Sequence, residues 1–126
     1  ACNPLLKIET IDKFVTQFIN SPSRGQFGVF EKRTFLFNNK GIMINKFFGE
    51  DKYLATLETK FAETCYEAAH SLYAGVTKDI GKEIYMGSFK KQGDPEFFIM
   101  DEIECFDIDY PWQFELAEVM YNTNKI

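Results

Sequence analysis

Apolar and polar residues follow two different periods along this chain, and the switches between them mark its expected elements. Ile11, Phe14, Val15, Phe18 and Ile19 recur at the spacing of one helical face, behind Thr10 as a candidate N-cap. The run Asn20-Ser21-Pro22-Ser23-Arg24-Gly25 stops that helix. Residues 26–32, 34–37 and 42–48 are dense in Phe, Val and Ile and read as strands. Asn38-Asn39-Lys40-Gly41 joins the last two as a hairpin, with Gly41 able to take positive φ.

The period then changes again. Leu54, Leu57, Phe61, Cys65, Ala68 and Leu72 form a helical stripe that predicts a long helix over 51–74, with Gly75 as its C-cap. Leu57, Phe61 and Leu72 are expected to lie buried against a sheet, with Glu63, Glu67 and His70 on the solvent side. Residues 83–90 read as a strand, and Gln92-Gly93-Asp94-Pro95 turns it into another over 96–110. Pro111 opens a last helix, with Trp112, Leu116, Val119 and Met120 as its buried stripe and a polar tail over 122–126.

The resulting order is α-β-β-β-α-β-β-α. Tight turns between sequential strands favour antiparallel pairing, so the expected fold is a single α+β domain over 1–126. Its sheet is largely antiparallel, of about five strands, with helices packed on it.

Within 96–110 the apolar and acidic residues alternate in two phases. Ile103 and Cys105 point one way in the first, and Phe106, Ile108 and Tyr110 in the second. A β-bulge near Cys105 would join the phases and align Glu102, Glu104, Asp107 and Asp109 on the open face of one strand.

Composition sharpens this picture. The chain has 126 residues, enough for a core without metals or disulfides, and fourteen Phe suggest that aromatic rings fill it. No apolar run approaches the ~20 residues needed to cross a bilayer. The net charge of −5 is uneven: residues 94–118 hold nine acids, and no Lys or Arg falls between Lys91 and Lys125. Phosphates would be repelled there, which argues against nucleic acid as the partner and suits a basic protein.

Cys2, Cys65 and Cys105 have neither disulfide nor zinc-site spacing, and a reducing cytoplasmic setting is expected. Ala1-Cys2 also fits the start left by lipoprotein processing, with Cys2 acylated, but no hydrophobic leader accompanies it.

Candidate chemistry is sparse. Glu102, Glu104, Asp107 and Asp109 are ligand types for a hard cation, but the calcium-loop pattern is missing. Glu67-x-x-His70 occurs once, where a di-iron site needs it in pairs, and the helical wheel separates Cys65 from His70. Gly25-x-x-Gly28 is too sparse for a phosphate loop, and Gly28 is expected to let an aromatic ring lie over the backbone. Lys32, Arg33, Lys40 and Lys46 interleave with Phe30, Phe35 and Phe37, as in a nucleic-acid platform or an ordinary hairpin surface.

These features point to a binding protein, with no enzyme activity, cofactor or metal expected. The specific expectation is an immunity protein or inhibitor of the bacterial type that neutralises a basic toxin such as a nuclease. Glu102, Glu104, Asp107 and Asp109 would supply the field, and Tyr110 and Trp112 the anchors. Two rivals stand beside it: a structural domain that self-associates through a sheet edge, and a small-molecule or enzymatic domain with an aromatic-lined pocket.

Overall fold

The computed structural model describes residues 2–79, 81–82 and 86–123. Its sheet has three strands, β1 (Gly25–Lys32), β2 (Cys65–Gly75) and β3 (Glu96–Met100), in the order β2-β1-β3. The helices are α1 (Ile8–Asn20) and α2 (Pro111–Asn122). β1 and β3 run parallel, in register from Gln26 opposite Glu96 to Phe30 opposite Met100, and the sheet is mixed. The α+β class holds. The five-stranded, largely antiparallel sheet does not.

The central strand explains the difference. β1 is buried on both faces over its first six residues, so both of its edges need partners. One partner is β3, and the other is drawn from the segment expected to be helical. Residues 51–74 form two short 3₁₀ turns, Asp51–Thr56 and Thr59–Phe61, and then β2. Leu57 takes a left-handed φ of 47° and is 45% exposed, while Phe61 and Leu72 are only half-buried. Ala68 and Ala69 favour a helix intrinsically, but that preference is weak beside the pairing of a buried strand edge. Ala69 is small enough to lie beside Gly28, and it joins the core there.

β2 is not a regular strand. Ala69 points into the core, and so do Leu72 and Ala74, a change of phase by one residue. The slip falls at His70, whose φ is 55°. A one-residue change of phase was expected near Cys105; here one occurs in another strand.

The chain divides into two compact units, one of Ala1–Phe30 with Ala68–Ile126 and the other Glu31–Glu67. In the first, Phe14, Phe30, Ala69, Phe98, Met100 and Cys105 form the core. Phe14 meets Phe98 edge to face at 5.2 Å. Gln26, fully buried, donates to the Phe14 carbonyl at 2.9 Å, and Gln17 donates to the Phe97 carbonyl at 3.0 Å. These bonds hold α1 against β1 and β3. At Gly28 a Cβ would fall 2.5 Å from the Met100 sulfur, so a thioether fills the space expected for an aromatic ring.

In the second unit the hairpin forms, but outside the sheet. Residues 34–37 and 42–48 meet at the bridge between Phe37 and Met43, and Gly41 turns the chain at a φ of 79°. Asn45 is buried between the arms. Its side chain accepts from the Leu36 amide at 2.9 Å and donates to the Thr34 carbonyl at 2.7 Å. Phe47 packs on Phe35 and Phe61, and Tyr53 stacks on Phe61.

The strand expected over 83–90 lies partly outside the described residues; Met86 to Lys90 is not strand. The turn over 92–95 is present, with the Phe89 amide bonded to the Asp94 carbonyl at 2.7 Å. Of the tail, residues 124–126 lie outside the described residues.

Phe14→Ala should lower the unfolding free energy by about 3–5 kcal/mol in urea titrations, because its ring fills the centre of the larger core. A loss below about 1 kcal/mol, the level of a surface substitution, would contradict this packing.

Candidate protein-binding surface

The acidic segment is a strand only as far as Met100. Asp101 then caps a 3₁₀ turn, Glu102–Cys105, its side chain accepting from the Ile103 amide at 3.1 Å. A 3₁₀ turn eclipses residues three apart and does not alternate them, so the four carboxylates do not form a row on one strand face. Glu102 faces solvent, whereas Glu104 is 7% exposed.

Glu104 points at the start of α1. Its Oε1 accepts from the Lys7 amide at 3.0 Å and from the Thr10 hydroxyl at 2.6 Å. Lys7 is the N-cap and has no side-chain cap of its own, so a carboxylate from across the fold supplies the missing acceptor. Thr10 sits inside the first turn instead of capping it.

Asp107 also has a local task, accepting from the Cys2 amide at 2.8 Å. Beside it the Ile108 amide bonds to the Cys2 carbonyl at 3.1 Å, which ties the N-terminal segment to this stretch. Two of the four carboxylates are thereby engaged with backbone donors.

Helix α2 begins at Pro111, as expected. The Gln113 side chain accepts from the amides of Asp109 and Tyr110 at 2.6 and 2.8 Å. The helix, however, faces the other way. Ala117 is its buried residue, and Phe114, Ala117, Glu118 and Tyr121 line a groove of about 240 Å³ with Pro4, Leu5 and Ile108. Of Trp112, Leu116, Val119 and Met120, expected from the sequence as a buried stripe, the first three are exposed and Met120 is half-buried.

Tyr110 at 61% exposed and Trp112 at 59% therefore open a surface that continues along α2. Exposed carboxylates on the same stretch are Asp101, Glu102, Asp109, Glu115 and Glu118. Of the six residues expected to meet a partner, the fold leaves Glu102, Asp109, Tyr110 and Trp112 open and turns Glu104 inward. Asp107 is half-buried. The exposure of Leu116 and Val119 was not legible in the sequence, because an i, i+4, i+7 stripe has the same spacing whether it faces a core or solvent.

A second charged cluster had no sequence signal. Asp79 is fully buried, 2.6 Å from Arg24 and 3.1 Å from Lys82. The Arg24 hydrogen bond, helped by Lys82, holds the Asp79 carboxyl below its ordinary range despite burial. The same bond raises Arg24. Asp94 is lowered as well, chiefly by the Ser88 hydroxyl donating at 2.7 Å. Arg24, Gly87, Ser88 and Asp94 line a recess of about 140 Å³.

Among the described residues no group of three His, Cys, Asp or Glu is placed to hold a metal ion. Glu67 and His70 lie on β2, not on a helix. No family model matches the chain, and no curated protein matches it.

Glu104→Ala should cost about 1–3 kcal/mol in denaturant unfolding, since it leaves the Lys7 amide and Thr10 hydroxyl without their acceptor. No change in stability would show that the cap is not formed.

Asp79 yields a pH prediction. Its folded value lies below the ordinary ~3.9, so its contribution is present above that pH and lost as pH falls through the folded value. Asp79→Asn should therefore melt lower at neutral pH, yet lose less stability on acidification than the native chain. Parallel acid limbs for the two proteins would contradict the assignment.

Proposed function

We propose that this is a small acidic binding domain that neutralises a basic protein, such as a cationic nuclease toxin. The observation that carries the reading is the exposed row Tyr110, Trp112, Leu116 and Val119 among carboxylates, in a stretch without Lys or Arg. Large aromatic side chains anchor interfaces, and a field of one sign steers an oppositely charged partner. In this reading Glu102, Asp109, Glu115 and Glu118 draw the partner in, and Tyr110 and Trp112 hold it.

The two rivals have less support. The outer strands are poor templates for edge pairing, β3 having five residues and β2 a left-handed φ of 55° at His70 within its length. The groove beside α2 has Glu118 as its one charged lining residue, where a small-molecule site would converge several polar groups.

Charge reversal should now be made at Glu102 and Asp109, because Glu104 holds α1. A Glu102→Lys, Asp109→Lys variant should fold but associate at least tenfold more slowly with a cationic nuclease toxin domain on a biosensor surface. The native on-rate should fall as salt rises, since charges more than about 8 Å apart are screened at physiological ionic strength. Trp112→Ala should speed dissociation instead. Binding whose on-rate ignores both salt and the double reversal would remove the acidic surface from the explanation.

A further inference from the structure

The unit Glu31–Glu67 has a surface of the opposite character. We propose that its hairpin is a docking face for an anionic lipid bilayer.

The geometry follows from strand alternation. Phe35, Asn45 and Phe47 lie on the inward side of the hairpin, where the rings of Phe35 and Phe47 meet. Ile42 and Ile44 alternate with Met43 on one side of this arm, and beyond the bend at Asn45 Lys46 and Phe48 lie together. Leu36 joins them, because the Ile44 amide bonds to its carbonyl at 2.9 Å. Ile42 is 60% exposed and Ile44 62%, and Leu36 and Phe48 are also exposed. The arm's far end is held by residues 61–63 through the bridge between Phe47 and Ala62, and four large apolar side chains exposed on one short segment are a binding feature more than an accident of composition.

Charge selects the occupant. Between Glu31 and Glu50 the chain has Lys32, Arg33, Lys40 and Lys46 and no acid. Glu31 lies 3.9 Å from Arg33, and the Glu63 carboxylate accepts from the Lys46 amide at 3.2 Å, so the hairpin cations whose exposed ends accompany the apolar side chains are Lys40 and Lys46. A second copy set face to face would oppose these charges to their own kind. A dry protein interface would have to bury the Lys46 ammonium in the middle of the apolar row, at a desolvation cost. Nucleic acid needs aromatic stacking, and three of the four outward apolar side chains are aliphatic.

An anionic bilayer meets all of these conditions. Leu36, Ile42, Ile44 and Phe48 reach the acyl boundary, while Lys40 and Lys46 extend to the phosphates. Lys46 already lies over the Phe48 ring, 5.4 Å from its centroid, with its charge beside the apolar row. The attachment is peripheral: among the described residues no helix is long and apolar enough to cross a membrane.

The test is co-sedimentation of the full chain with vesicles of phosphatidylcholine alone or of equal parts phosphatidylcholine and phosphatidylglycerol. The native chain should bind only the anionic vesicles and should be released by salt. Lys40→Gln with Lys46→Gln should lower partitioning about 25-fold, about fivefold per charge. Ile42→Ser with Ile44→Ser should lower it about tenfold or more with the charges intact. The proposal is overturned if the native chain ignores anionic vesicles at low salt, or if both double variants bind as the native chain does. It is also overturned if the native chain is a dimer that the Ile42, Ile44 variant dissociates, which would assign the face to a second copy.

Discussion

The parallel pairing of β1 with β3 is the constraint on which the larger unit depends. It joins residues 26–30 to residues 96–100, and Gly28 leaves room there for the Met100 thioether, whose sulfur lies 2.5 Å from where a Cβ would fall. With β1 covered on both faces, its amides and carbonyls cannot be left to water, so both flanks must be strands. That requirement converts a helix-like segment into β2. It also returns the acidic stretch to the start of α1, where Glu104 meets Lys7 and Thr10.

Buried polar side chains then hold elements that the sheet does not reach. Gln26 and Gln17 fasten α1 to the strands, Glu104 caps its start, and Asn45 spans the hairpin arms. Among the described residues no buried side-chain nitrogen or oxygen lacks a hydrogen-bond partner. Each such group would be costly alone, so these residues select one arrangement of elements as well as stabilising it. Asp79 does the same with two cations, and it brings acid sensitivity with it.

Local signals in the sequence were reliable where the physics is local. The helix around Phe14, the turn at Gly41 and the start of α2 at Pro111 each follow from neighbouring residues, and each is present. Reading failed where a distant partner decides. Ala68-Ala69 favours a helix until a strand edge needs filling beside Gly28. The alternation after Met100 resembles a strand until Asp101 caps a turn and Glu104 finds the donors of α1. The direction of α2 was illegible for the same reason: Ala117, the smallest apolar residue in the helix, is the one that is buried. The larger Trp112 and Leu116 are left outside.

The acidic residues show why composition alone misassigns a surface. Nine acids in twenty-five residues read as one field, yet their side chains do different work. Glu104 and Asp107 accept from the backbone amides of Lys7 and Cys2. Asp94 is taken by Ser88. A carboxylate engaged in this way keeps its charge but gives up the freedom to reorient toward an incoming cation. Around the start of α2 and along its length, the exposed carboxylates Asp109, Glu115 and Glu118 accompany an apolar row that the protein's own packing leaves exposed. Charge and apolar area occur there together, and that conjunction, more than the density of acids, favours a partner over a merely solvated surface.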